Sequence, residues 1–295
     1  MKLVAYLASI DHLDAVVQSA VDVIVVPLEH LSHRYEKALA HEDIEAVIKR
    51  VHEHQKDVWL SVNKLLHQPD LETLDVLFQS LNFLSFEGVL FADLAVLQAA
   101  RRFNLEAQLI YAPETYNTSL EDTRFWQRQG VQTLILSREL LLEDLVSIAK
   151  QAPSSIGFFG HGYINIFHSR RPLIDHYFSF TQEVDVESVK QSRNLALIEH
   201  QREEAFPIFE DHAGTHIFRA LPRASMQEFD QLSQVLDYFI IDTLMLSLPT
   251  ILSTIDDYAQ ARDGQLTQTI INRYREGYDN GLYYKRTHPV RRDDE

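Results

Sequence analysis

Short, continuous apolar runs alternate with longer segments whose apolar residues return every three or four positions, and the alternation repeats along most of the 295-residue chain. The runs Lys2–Leu7, Val23–Val26, Val58–Val62, Gly88–Phe91, Ala107–Tyr111, Thr133–Leu136 and Ile156–Phe159 read as strands buried on both faces. Between them, His41–His54, Asp70–Leu81, Leu94–Phe103, Leu120–Gln129 and Leu141–Gln151 have the period of amphipathic covering helices. Ser119 with Glu121 and Asp122 reads as a helix cap with acids in the first turn, and Gly130 stands where that helix would stop. After Tyr177 the rhythm breaks into polar connections around short strands at Ala196–Glu199 and His216–Arg219. It resumes with a helix at Met226–Val235, an eighth strand at Tyr238–Ile241 and a last helix at Pro249–Arg262.

This order predicts an α/β fold, a TIM-like (β/α)8 barrel over residues 1–265. An inserted α+β segment at about 178–222 precedes the last strand, and a C-terminal extension covers 266–295. An open doubly wound sheet is the alternative, but neither a GxGxxG turn nor a P-loop follows any strand.

With 45% hydrophobic and 24% charged residues the chain can bury one large core. Its net charge of −16 argues against broad, non-specific binding to nucleic acid or anionic membrane, while leaving room for a local basic patch. Cysteine is absent, which removes disulfides, thiolate nucleophiles and Cys-held zinc or iron–sulfur clusters. The N-terminus reads as a first strand and helix, and no apolar run approaches the ~18 to 20 residues of a membrane span. A cytoplasmic protein without membrane contact is expected. The basic residues from Lys285 to Arg292 are followed by Asp293, Asp294 and Glu295, so a solvated tail is expected there, with a brush against a phosphate backbone as the alternative.

The stretch Ser155–Tyr177, SIGFFGHGYINIFHSRRPLIDHY, runs from a buried strand into a His-Gly turn and then a loop with Asn165, His168, Ser169, Arg170 and Arg171. Barrel chemistry gathers at such strand ends. Glu139, just past the sixth strand in Ser137-Arg138-Glu139, is a candidate general base, or else an ion-pair partner of Arg138. His161 is a candidate acid or proton shuttle, because imidazole titrates near neutral pH, or else a structural histidine on a neighbouring carbonyl. Asn63, after the third strand, offers a neutral donor and acceptor to orient a carboxylate or a base.

Glu210, Asp211, His212 and His216 surround Gly214, and His212 and His216 have the i, i+4 spacing of a metal-binding helix. Gly214 argues against a helix there, a metal would need a third ligand from elsewhere, and no HExxH motif accompanies the pair, so a turn in which an Asp caps backbone amides is expected. Glu29, His30 and His33 form a second such cluster. No metal site is expected from either.

Four blocks in order, Val58–Asp70 (VWLSVNKLLHQPD), Leu134–Leu145 (LILSRELLLEDL), Gly160–Tyr177 and Phe206–Thr215 (FPIFEDHAGT), resemble the collagenase-like peptidase family U32. The pairing of LSREL with a His-Gly strand end is the specific part. The resemblance implies a barrel and extends over most of the chain. Many relatives have cysteine after the His-Gly turn, where this chain has His168, Ser169, Arg170 and Arg171, so an iron–sulfur cluster is excluded. What remains is similar to the short member of a Gram-positive pair, which implies prephenate-dependent 5-hydroxylation of the tRNA wobble uridine beside a longer paralogue. On that reading Glu139 and His161 are the catalytic pair, and Asn63, Arg170, Arg171, Ser137 and Asp211 bind substrate. A guanidinium fork suits a small carboxylate such as prephenate, or tRNA phosphate. No cofactor is expected beyond prephenate as co-substrate. The rival readings are a peptidase, for which no GxSxG elbow, zinc motif or aspartyl signature is present, and a non-catalytic scaffold for the paralogue.

Overall fold

The computed structural model describes residues 1–181, 195–198, 200 and 204–284. The basic cluster from Lys285 onward lies outside the described residues. Seven strands, β1 (Lys2–Tyr6), β2 (Val23–Pro27), β3 (Asp57–Val62), β4 (Gly88–Phe91), β5 (Leu109–Tyr111), β6 (Thr133–Ile135) and β7 (Ser155–Gly162), pair in parallel in chain order. The chain then leaves the wall to build a small antiparallel sheet. Its strands are β8 (Asn165–Ser169), β9 (Ala196–Ile198), β10 (Ala205–Asp211) and β11 (Gly214–Phe218), in the order β8-β11-β10-β9. A two-residue strand β12 (Arg223–Ala224) runs antiparallel to β7, and β13 (Tyr238–Asp242) then pairs in parallel with both β7 and β1. The result is a closed eight-stranded (β/α)8 barrel.

The covering helices are α1 (Leu13–Val16), α2 (Ile44–Glu53), α3 (Asp70–Leu81), α4 (Leu94–Arg102), α5 (Leu120–Arg128), α6 (Leu142–Gln151), α7 (Leu173–Thr181), α8 (Phe229–Ser233), α9 (Leu248–Arg262) and α10 (Gln268–Arg273). The cap expected at Ser119 forms as a capping box: its Oγ accepts from the Asp122 amide at 3.3 Å, and the Asp122 carboxylate accepts from the Ser119 amide at 2.9 Å.

Alternation along each strand gives two apolar shells. Val4, Tyr6, Val25, Trp59, Leu90, Ile110, Ile135, Phe159 and Ile240 fill the lumen. Leu3, Ile24, Leu60, Phe78, Phe239 and Tyr258 belong to the sheath between wall and helices. With both faces dry, the strands need continuous rather than alternating hydrophobicity, which is the pattern of the sequence. Gly160 is set by this packing, since a Cβ there would sit 2.0 Å from the Phe239 ring.

Two local readings change. The seventh strand continues through Gly162, so His161 lies inside a wall strand rather than in a turn beyond it. The segment expected to be a loop, Asn165–Ser169, is itself a strand paired with β11, so the small sheet starts ahead of the stretch expected to hold the insertion. In both cases the chain finds backbone partners that local patterning does not announce. After α10 the chain returns to the barrel: the Tyr283 carbonyl accepts from the Leu142 amide at 3.1 Å, and the Tyr283 ring is buried.

Candidate functional site

The carboxyl ends of the strands form a mouth whose floor is polar and dry. Tyr6, the last residue of β1, exchanges a hydrogen bond with Ser61 at 2.7 Å and accepts one from the Asn63 amide group at 2.9 Å. Burial pushes its hydroxyl up to about 12. Asn63 Oδ1 accepts from the His33 backbone amide at 3.0 Å, tying the end of β3 to the loop after β2. Arg138, after β6, lays its guanidinium 3.8 Å above the Phe159 ring at the top of the lumen and pairs with Asp242 at the end of β13. Arg34, equally buried, pairs with Glu114 after β5. Desolvation, with Arg138 nearby, brings the Arg34 guanidinium down to about 10, so it still holds its charge at neutral pH.

Above this floor opens a cleft of about 300 Å³, the lower end of the range for small-molecule sites. His33, Asn63, Glu114, Glu139, Asn165 and His168 supply its polar wall. Tyr116, Ile166 and Phe167 stand exposed on its rim. A larger cleft of about 510 Å³ lies between the loop after β2 and α3, lined by residues such as Leu28, His30, His41 and Glu72. It lacks the buried, converging polar groups of the barrel mouth, so the smaller cleft is the candidate site.

The residues singled out from sequence distribute unevenly. Asn63 and Glu139 share the cleft. Glu139 is exposed to it, and among the described residues its carboxylate has no ion pair or hydrogen bond; the expected partner Arg138 is taken by Asp242. Ser137 is fully buried beneath, its Oγ accepting from the Glu139 amide at 3.2 Å, and so shapes the turn rather than the cleft surface. Asp211 caps the β10–β11 turn as expected, accepting from the Ala213 amide at 2.8 Å, and also accepts from the Arg34 amide at 2.5 Å. Arg170 and Arg171 are exposed beyond β8 and do not line the cleft.

His161 is not brought together with Glu139. Its ring points to the sheath side of β7, Nδ1 lies 3.3 Å from the Tyr258 hydroxyl, and Tyr258, Tyr274 and Tyr278 pack around it. Burial alone pushes it down to about 3, so it is neutral at physiological pH.

Other histidines do converge at the mouth. The β8–β11 register places His168 directly opposite His216, with the rings stacked 4.4 Å apart, and His33 packs edge-on to both. Burial and neighbouring cations depress His33 well below the usual imidazole range, and burial pushes His216 down to about 4 despite Asp211 nearby. Sequence spacing pairs His212 with His216 instead, but His212 sits at the tip of the turn against Tyr35. Reading IFHS and GTHIF as facing strands would have shown the true neighbours. Sequence reasoning also misses Arg34, Glu114 and Asp242, whose roles depend on chain crossings that spacing does not reveal.

Among the described residues, no helix is long and apolar enough to cross a membrane. The chain is 27% identical over 249 residues to tRNA hydroxylation protein P2 of Bacillus subtilis, covering 84% of this chain and 81% of that one. A 138-residue match to tRNA hydroxylation protein P of Escherichia coli is 26% identical and covers 46% of this chain and 30% of that protein. Among solved structures, a U32 peptidase superposes with a TM-score of 0.51 at 16% identity, covering 82% of this chain and 92% of its own, a likeness of fold. The model of Peptidase family U32 matches residues 8–289, almost the whole barrel with its small sheet, and the chain belongs to that family.

Proposed function

We propose that this protein acts in 5-hydroxylation of the tRNA wobble uridine, with the cleft at the barrel mouth receiving the nucleotide. The observation that carries the reading is the composition of the cleft. Exposed Tyr116 and Phe167 stand on a rim above Asn63, Glu114 and Glu139. Flat aromatic faces stack an unpaired base, and a polar wall reads its edge. The cleft is too small for a folded RNA but matches one nucleotide or a small carboxylate. The relatives whose names specify tRNA hydroxylation support the same reading, as does a 135-residue match to a 23S rRNA 5-hydroxycytidine synthase of Escherichia coli, 22% identical over 20% of that protein.

In this reading Glu139 takes or holds a proton at the base. Asn63 orients the bound group, and Arg170 and Arg171 meet tRNA phosphate outside the cleft. Prephenate serves as co-substrate. A longer paralogue acts alongside: tRNA hydroxylation protein P1 of Bacillus subtilis matches this chain at 18% identity over 120 residues, 28% of its own length.

Nucleoside mass spectrometry of tRNA from a deletion strain tests the proposal. Hydroxylated wobble uridine should disappear and return with the wild-type gene but not with Glu139→Gln. Hydroxylation that persists in the deletion strain of a host lacking a second route would overturn it. Restoration by Glu139→Gln and Tyr116→Ala alike would move the function from the cleft to a scaffold role.

A further inference from the structure

Three imidazoles from distant parts of the chain meet beside the cleft: His33 from the loop after β2, His168 from β8 and His216 from β11. One ring nitrogen from each lies within 4.8 Å of the others. Their own hydrogen bonds do not explain the grouping. His33 and His216 are buried, yet His33 Nδ1 and His216 Nδ1 have no hydrogen-bond partner, and His216 Nε2 faces only the Asp211 carboxylate at 3.5 Å. Leaving such groups unpaired costs about 1–3 kcal/mol each. His168 makes one bond, from Nε2 to the Ala213 carbonyl oxygen at 3.2 Å. A carbonyl only accepts, so Nε2 carries the proton and Nδ1 is the nitrogen left to bind an ion.

We propose that His33, His168 and His216 form a binding site for a divalent first-row transition ion of the zinc, cobalt or iron(II) kind, with Asp211 as the carboxylate beside it. Imidazole nitrogen selects these ions over magnesium and calcium, which take oxygen. Bonds of about 2.0–2.1 Å in tetrahedral geometry put ligand nitrogens roughly 3.4 Å apart, so the widest separation closes by no more than about 1.4 Å, while the parallel His168 and His216 rings turn out of their stack to aim both in-plane lone pairs at the ion. Asp211 supplies the negative charge that imidazole ligands lack. Its Oδ1 lies 3.5 Å from His216 Nε2, within ion-pair range, and the amides of Arg34 and Ala213 already fix it. A carboxylate behind a metal-bound imidazole commonly plays this part. Asn63 steadies the other side by holding the His33 backbone.

The site opens toward the cleft. His33 and His168 line it together with Glu114 and Glu139, so a ligand position left free on the ion would face the same space. Three protein nitrogens with an open position is the arrangement of a reactive rather than a purely structural metal. The inference stands on the histidine geometry and does not require the tRNA reading.

The test is a titration of the full-length, chelator-treated protein with Co²⁺ alone, without RNA. One ion per chain is expected, with visible ligand-field bands that Zn²⁺ abolishes by displacement, and Zn²⁺ should raise the melting temperature. His168→Ala, the least buried of the three positions, should weaken Co²⁺ binding by more than about tenfold, since changes behind a ligand alone cost 10–100-fold. His212→Ala, at the tip of the same turn, should leave binding unchanged. Wild-type protein that binds no Co²⁺ with ligand-field bands overturns the proposal whatever the variants do. Equal binding by wild type, His168→Ala and His216→Ala, each folded by circular dichroism, overturns it as well. Because no RNA is present, either failure leaves the tRNA reading standing.

Discussion

Arg138 and Asp242 face each other across the barrel mouth, Nη2 3.3 Å from Oδ2, with both side chains almost wholly removed from water. The pair links the turn after β6 to the end of β13 over a separation of 104 residues. It also takes up the guanidinium next to Glu139, leaving that carboxylate to the cleft. Removing one partner strands a buried charge, so Asp242→Ala should destabilise the fold by about 3–5 kcal/mol in urea unfolding. The double variant Arg138→Met with Asp242→Leu should be more stable than Asp242→Ala, because no uncompensated charge remains. A double variant as unstable as the single one would show that the position matters for its shape rather than its charge.

Glu139 is exposed, and among the described residues its side chain makes no ion pair or hydrogen bond. Exposed positions of this kind change stability by about 0.5 kcal/mol or less when substituted. Glu139→Gln should therefore unfold at the wild-type urea midpoint while failing to restore tRNA hydroxylation in a deletion strain. A normal midpoint with normal hydroxylation would remove Glu139 from the site.

The strands are legible in the sequence because a parallel sheet covered on both faces demands continuous apolar runs such as Val58–Val62 and Gly88–Phe91, and the missing GxGxxG turn and P-loop favour the barrel over an open sheet. The family is legible for a different reason, in blocks such as Leu134–Leu145. The site is harder. Asn63 and Glu139 follow strand ends and are found by that rule, whereas the same rule puts His161 in a turn it does not occupy: Gly160 and Gly162 look like loop residues but lie in a strand, Gly160 to admit the Phe239 ring. His33, His168 and His216 escape because they are neighbours only across an antiparallel pairing and a loop. Residues in contact at that range leave no trace in spacing.

His161 predicts an acid response. It binds a proton at about 3 in the folded state against 6.5 for an unperturbed ring, so between those values the unfolded chain holds more protons. Stability is therefore lost as pH falls through this window, on the order of 1 kcal/mol per pH unit from this residue. His161→Gln, neutral throughout, should flatten the decline of unfolding free energy as pH falls from 6.5 toward 3 without abolishing it, since His33 and His216 contribute with the same sign. An unchanged slope would mean that His161 is protonated in the folded protein.

Gly214 opens β11 at φ +124°, and a Cβ there would lie 2.1 Å from the Ser169 carbonyl oxygen of the neighbouring strand. Backbone cannot yield as a side-chain tip can, so Gly214→Ala must push β8 and β11 apart. Gly264 makes the comparison, since it also has a positive φ, +76°, but a Cβ there would meet nothing. Its alanine variant carries only the backbone penalty, roughly 1–2 kcal/mol. Gly214→Ala adds the clash and should lose clearly more in urea unfolding. It should also expose the small sheet to limited proteolysis, which Gly264→Ala should not. Because β8 and β11 carry His168 and His216, the same displacement should separate the stacked rings. Equal losses in the two variants would show that the hairpin absorbs the extra carbon, and that the approach of the two strands is not what holds the histidines together.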